Sequence, residues 1–125
     1  MPYISSSDGR REALRRGESA LTAGELNYQI FYTVKHYYPL DEAKNWMEGY
    51  MYIEETIKKF VTQFLGNKPN YQRYNDMTGA LVRCYAEIKR RLNIEVDILL
   101  NILTSYNKEI DKYEDTKIIS NGDVE

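Results

Sequence analysis

A chain of 125 residues with a formal net charge of −2 and 29% charged side chains fits one soluble domain with a modest core, and it lacks the overall basic field that nucleic acid attracts. Its 42% hydrophobic content includes twelve tyrosines, whose rings bury apolar area while the hydroxyls still need a partner, so the composition favours core edges, subunit interfaces and ligand grooves. The longest apolar runs, such as Ile98-Leu99-Leu100, fall far short of the roughly 20 residues of a bilayer span, and Cys84, the only cysteine, excludes an internal disulfide and a multi-cysteine metal site.

The opening Met1-Pro2-Tyr3-Ile4-Ser5 has no basic stretch leading into an apolar one, which argues against a signal peptide and for the cytoplasm. Residues 1–7 read as a loose N-terminus and residues 8–114 as the helical part. A short basic helix over 8–16, carrying Arg10, Arg11, Arg15 and Arg16, is closed by Gly17. Thr22-Ala23-Gly24-Glu25 fits a capping box that starts a helix over 23–38, with Leu26, Ile30 and Val34 on one face, Phe31 and Tyr38 beside them, and Pro39 as the stop. Asp41 can cap a third helix running to Leu65, with Met47, Tyr50, Ile53 or Glu54, Ile57, Val61 and Phe64 at helical spacing and Gly66 as the exit.

Asn70 can cap a fourth helix that extends to about Leu92, whose stripe is Tyr74, Met77, Leu81, Cys84 or Tyr85, Ile88 and Leu92. A fifth, over 95–113, continues the repeat with Val96, Leu99, Leu103, Tyr106, Ile110 and Tyr113. Seams of this kind pack helices at shallow angles within a chain or between copies, so Leu81, Ile88, Leu92, Leu99, Leu103, Tyr106 and Ile110 are expected in the core or at a subunit contact. In residues 115–125 the pattern breaks: the tail is acidic, and Asn121-Gly122 is a turn former that permits a small hairpin. The expected fold is all-α: a bundle of four main helices in one domain, with a short basic helix in front and an acidic tail behind. Opposite-signed ends can dock head to tail, fold back on one another, or stay solvated as two tails.

Nucleophilic catalysis needs a nucleophile, a base and an orienting group, and here Cys84 and His36 stand on different helices. His36 is placed to meet the negative end of its helix dipole, and Cys84 reads as a small buried apolar residue. The solitary Gly66 and Gly79 make no phosphate loop. A helical nucleotide pyrophosphohydrolase would need carboxylates repeated one turn apart to hold Mg²⁺, and only Asp111 and Glu114 stand three apart. No catalytic residue, metal ligand or cofactor is expected. For binding there is more material. Arg73, Arg83, Arg90 and Arg91 share a helix with Tyr74 and Tyr85, and arginine can fork to phosphate while tyrosine stacks on a base. Lys89-Arg90-Arg91 also simply complements a helix C-terminus.

The stretches Gly24-Glu25-Leu26-Asn27-Tyr28-Gln29-Ile30, Asn70-Tyr71 through Tyr74-Asn75-Asp76-Met77-Thr78-Gly79-Ala80-Leu81 to Cys84, Glu87, Arg90 and Arg91, and Tyr113-Glu114-Asp115-Thr116-Lys117-Ile118 with Asn121-Gly122-Asp123-Val124, resemble a family of short uncharacterised proteins encoded by phages and prophages. Residues 38–65 and 93–108 depart from that pattern as insertions that lengthen the helical part. The resemblance implies a phage-linked origin in a bacterial host cell and carries over no catalytic residue. Two roles suit such a chain: a protein-interaction or assembly module that binds a host or phage protein, or an oligomer that sequesters a nucleotide signal of host defence. A homo-oligomer is expected; a membrane or nucleic-acid partner is not.

Overall fold

Five helices make up the described part of a computed structural model, which comprises residues 9–37, 46–93 and 97–122, with backbone alone for 46–48. They are α1 (Gly9–Arg15), α2 (Ala23–Tyr37), α3 (Trp46–Leu65), α4 (Tyr71–Leu92) and α5 (Asp97–Asn121), and no strand occurs among the described residues. None of these helices is long and apolar enough to cross a membrane. The expected loose N-terminus, the Pro39 stop, the Asp41 cap and the start of the fifth helix at Glu95-Val96 lie outside the described residues.

Local sequence accounts for the helix ends. Thr22 Oγ1 accepts from the Glu25 amide at 3.1 Å, as a capping box requires. The Glu25 carboxylate, however, reaches one residue further back than the box predicts and accepts from the Leu21 amide at 2.8 Å. Asn70 Oδ1 takes the Arg73 amide at 2.8 Å, and Asn93, in the left-handed conformation at φ 54°, closes α4 by donating its amide to the Lys89 carbonyl.

α2 and α4 form the closest pair, and α3 packs against both. Arg73 meets the Leu21 carbonyl near the start of both helices, while Arg91 lies over Phe31 further along, so α2 and α4 run parallel. α5 covers α4 and part of α3; α1 packs on α2 and makes no contact with α5 among the described residues. One core results, in which Leu14, Leu26, Ile30, Ile53, Ile57 and Met77 are fully buried. Leu81, Ile88 and Leu99 are also sealed from solvent, while Leu92, Leu103, Tyr106 and Ile110 are partly buried along its margin.

The tail departs from the expectation. α5 does not stop at Tyr113, and residues 115–121, within the tail that permits a hairpin, are its last two turns: Thr116 Oγ1 donates to the Lys112 carbonyl at 2.8 Å, and the Gly122 amide donates to the Ile118 carbonyl at 2.8 Å. Gly122 sits at φ +88°, so the glycine that suggested a hairpin turn ends a helix instead. The physical reason is cooperativity. An isolated hairpin needs a partner surface, whereas a helix already formed gains a backbone hydrogen bond with each added residue.

Candidate functional site

The arginines and tyrosines expected to form a ligand site on α4 do not converge. At about 100° per residue, Arg83 and Arg90 fall on one flank, Tyr74 and Tyr85 on the opposite one, and Arg73 and Arg91 at ends of the helix ~27 Å apart. The arginines also have partners within the chain. Arg83 and Arg90 both reach Glu87, at 3.3 and 2.7 Å. Glu87 is itself 4% exposed, and the Arg90 hydrogen bond, followed by the charges of Arg90 and Arg83, holds its carboxyl below the usual range despite the opposing effect of burial. Arg73 donates to the Leu21 carbonyl and covers the Phe64 ring at 4.7 Å; Arg91 covers Phe31 at the same distance. Tyr74 is buried against Tyr113 with ring centroids 5.2 Å apart, and burial pushes its hydroxyl up. Tyr85 is half-buried against the core. These side chains join α4 to its neighbours.

A different set of tyrosines and cations does come together, where α1, α2 and α3 meet. The cleft there has a volume of about 310 Å³. Leu14, Gln29 and Phe60 contribute its buried side, Tyr28, Tyr32, Tyr37 and Tyr52 its rings, Thr33 and Thr56 two hydroxyls, and Arg15, Arg16 and Lys59 three cations. Among the described residues no carboxylate lines it.

Helical spacing builds the aromatic wall. Tyr28, Tyr32 and His36, each one turn after the last, stack along a flank of α2 with centroids 6.3 and 5.4 Å apart. His36 also meets the edge of Tyr37 at 4.7 Å, and Tyr37 reaches across to Tyr52 of α3 at 5.2 Å and 66°. The hydrogen bond with Tyr52, with burial behind it, holds the Tyr37 hydroxyl above its ordinary pKa. α1 lies over this ladder: the Arg15 guanidinium sits 5.0 Å above Tyr32 and donates from Nε to the Tyr28 hydroxyl at 2.7 Å, and Arg11 lies 5.3 Å over Tyr28.

Gln29 fixes the turn that carries these cations. Its Nε2 donates to the carbonyls of Leu14 and Glu18 at 3.0 and 2.8 Å, and its Oε1 is buried without a hydrogen-bond partner. Arg16 is paired to Glu12 at 3.1 Å on the surface, whereas Arg15 and Lys59 have no carboxylate partner among the described residues.

Other groups are poorly placed for chemistry. Cys84 is fully buried, and desolvation pushes its thiol far above the ordinary value. Among the described residues no three of His, Cys, Asp or Glu come close enough to hold a metal ion.

None of this cleft was anticipated from the sequence. The four-residue spacing of Tyr28, Tyr32 and His36 was a visible signal of a shared flank. The approach of α1 and of Tyr52 to that flank is tertiary, and no spacing encodes it. No family model matches the chain, and neither curated proteins nor solved structures give a match.

Proposed function

We propose that this chain is a non-enzymatic binding protein that captures a small anionic ligand in the cleft between α1, α2 and α3. One observation carries the reading: among the described residues Arg15 and Lys59, two cations without carboxylate partners, line a cleft that is walled by four tyrosines and holds no acid. A guanidinium is more weakly hydrated than an ammonium and offers paired N–H donors that match an oxyanion. With the resemblance to phage and prophage proteins, the reading becomes an accessory protein that withholds a small signal molecule in a bacterial host cell, alone or as an oligomer.

Thermal denaturation against a panel of phosphorylated metabolites tests it. At least one compound is expected to raise the melting temperature of the wild type and not that of Arg15→Gln. A panel without any shift rejects the proposal, and consumption of the ligand on incubation with Mg²⁺ replaces it with an enzyme.

The far end of the molecule supports a second reading, a protein-interaction or assembly module. Tyr71 is 65% exposed and Ile119 85% exposed, with Ile118 also turned to solvent near the end of α5. Light scattering over a concentration series tests self-association through this end. A fixed monomer mass leaves a host or phage protein as the partner, to be sought by pull-down.

A further inference from the structure

We infer that the ligand of this cleft is a nucleoside monophosphate, with its phosphate on Arg15 and Lys59 and its base against the Tyr37–Tyr52 wall. The inference rests on the anion-binding reading above and adds the ring and the size.

Phosphate placement follows from what Arg15 has already committed. Its Nε is held by the Tyr28 hydroxyl at 2.7 Å and its plane lies over Tyr32, so the group is oriented while its two terminal nitrogens make no hydrogen bond among the described residues. A guanidinium fixed at Nε presents the remaining pair as a fork for two phosphate oxygens, and Lys59 adds a point charge from α3.

A planar base fits the other wall. Tyr37 and Tyr52 are 38% and 51% exposed and meet at 66°, and Tyr37 also contacts His36, which leaves Tyr52 as the more open ring. Bases stack on such rings through their π-faces, whatever their hydrogen-bonding edge. The volume of about 310 Å³ lies at the lower end of small-molecule pockets, typically about 300 to 1,000 Å³, which suits one base and one phosphate better than a dinucleotide. Gln29, 2% exposed and part of the lining, keeps an unpartnered Oε1 that a ribose hydroxyl at the buried side of the cleft would satisfy.

Isothermal titration of the full chain with AMP, ribose 5-phosphate and inorganic phosphate tests the assignment, alongside Arg15→Gln and Tyr52→Leu. Both positions are exposed, and circular dichroism checks that each variant folds; Lys59→Gln replaces Arg15→Gln if that variant does not. AMP is expected to bind roughly tenfold tighter than ribose 5-phosphate, an advantage that Tyr52→Leu removes and that reflects stacking of one base. Arg15→Gln should weaken both ligands by at least about tenfold, since it removes the charged fork to phosphate. Equal affinity for AMP and ribose 5-phosphate overturns the nucleoside assignment and leaves the anion site standing. Binding of AMP that neither variant changes overturns its location, and no binding by any of the three at millimolar concentration overturns both readings.

Discussion

Arg10 donates from Nε and Nη2 to the two carboxylate oxygens of Glu25, at 2.8 and 2.9 Å, and this fork fastens α1 onto the first turn of α2. The same guanidinium reaches the Ser19 carbonyl at 2.7 Å, so one side chain spans the connection between the two helices. Since α1 carries Arg15, the Arg10–Glu25 pair also sets the position of the cleft's principal cation.

Arg10→Ala should therefore lower stability by about 1 to 3 kcal/mol, the usual range for a hydrogen-bonded charge losing its partner, and should weaken anion binding without touching the cleft. The effect should depend on pH in a definite direction. Arg10 hydrogen bonding is the largest influence on Glu25 and depresses its carboxyl pKa in the folded state. As pH falls, the unfolded chain therefore protonates Glu25 before the folded chain does. The stabilisation is complete above the ordinary glutamate pKa, about 4.3, and disappears as pH drops through the lower folded value. Urea denaturation of wild type and Arg10→Ala at pH 7 and pH 3 checks this: the gap between the two curves should narrow at the acid end. A gap that widens there contradicts the pairing.

Cys84 should be unreactive in the native protein. Its thiol is fully buried, lies 3.8 Å from the Asn27 carbonyl and is driven up by desolvation, with the Glu87 charge adding to the effect, so the thiolate is scarce at neutral pH. A disulfide-exchange reagent at pH 8 is expected to label it only as fast as the protein opens, and stoichiometrically within the mixing time in denaturant. Rapid labelling of the native chain would mean that α2 and α4 separate there.

The helix caps yield two predictions of opposite sign. Asn70→Ala removes the side chain that accepts the Arg73 amide and should cost about 1 kcal/mol, the typical value for an N-cap. Asn93 instead holds φ at 54°, a conformation that costs an L residue energy, so Asn93→Gly should be neutral or stabilising by up to about 1 kcal/mol while Asn93→Val is clearly destabilising. Thermal melts of the three variants decide. Destabilisation by the glycine would show that the Asn93 side chain contributes more than its backbone.

What the sequence made legible was whatever depends on residues three or four apart. The all-helical class, the start of α2 at Thr22, both ends of α4 and the inward stripe Met77, Leu81, Cys84 and Ile88 are all local in this sense. The extension of α5 was not, because Asn121-Gly122 serves a hairpin turn and a helix C-terminus equally well and only the continuation of backbone bonding past Tyr113 separates them. The grouping of arginines on α4 misled for a related reason. Their shared helix suggested a shared site, yet the helical rotation between Arg83 and Arg73 sends one to Glu87 and the other to Phe64. The cleft that does form needed Arg15, Tyr32 and Tyr52, from three helices, and their proximity is a property of the packing alone.

The end of α5 offers a last prediction, about motion. From Asp97 to Ile102 the helix is anchored by Ile98, Leu99 and Ile102 in the core, whereas beyond Tyr113 every described residue is exposed. A helix segment without tertiary burial is held mainly by its own backbone bonds, which are marginal in water over so short a length. Amides of residues 115–121 should then exchange with deuterium far faster than those of 99–106, although both belong to one helix. Exchange followed by mass spectrometry or NMR at two protein concentrations separates the explanations. Fast exchange at both concentrations is the expected result for a bare helix end. Protection that appears only in the concentrated sample would show Ile118 and Ile119 buried against another copy, and equal protection of both segments in a dilute monomer would contradict the exposed placement of these last two turns.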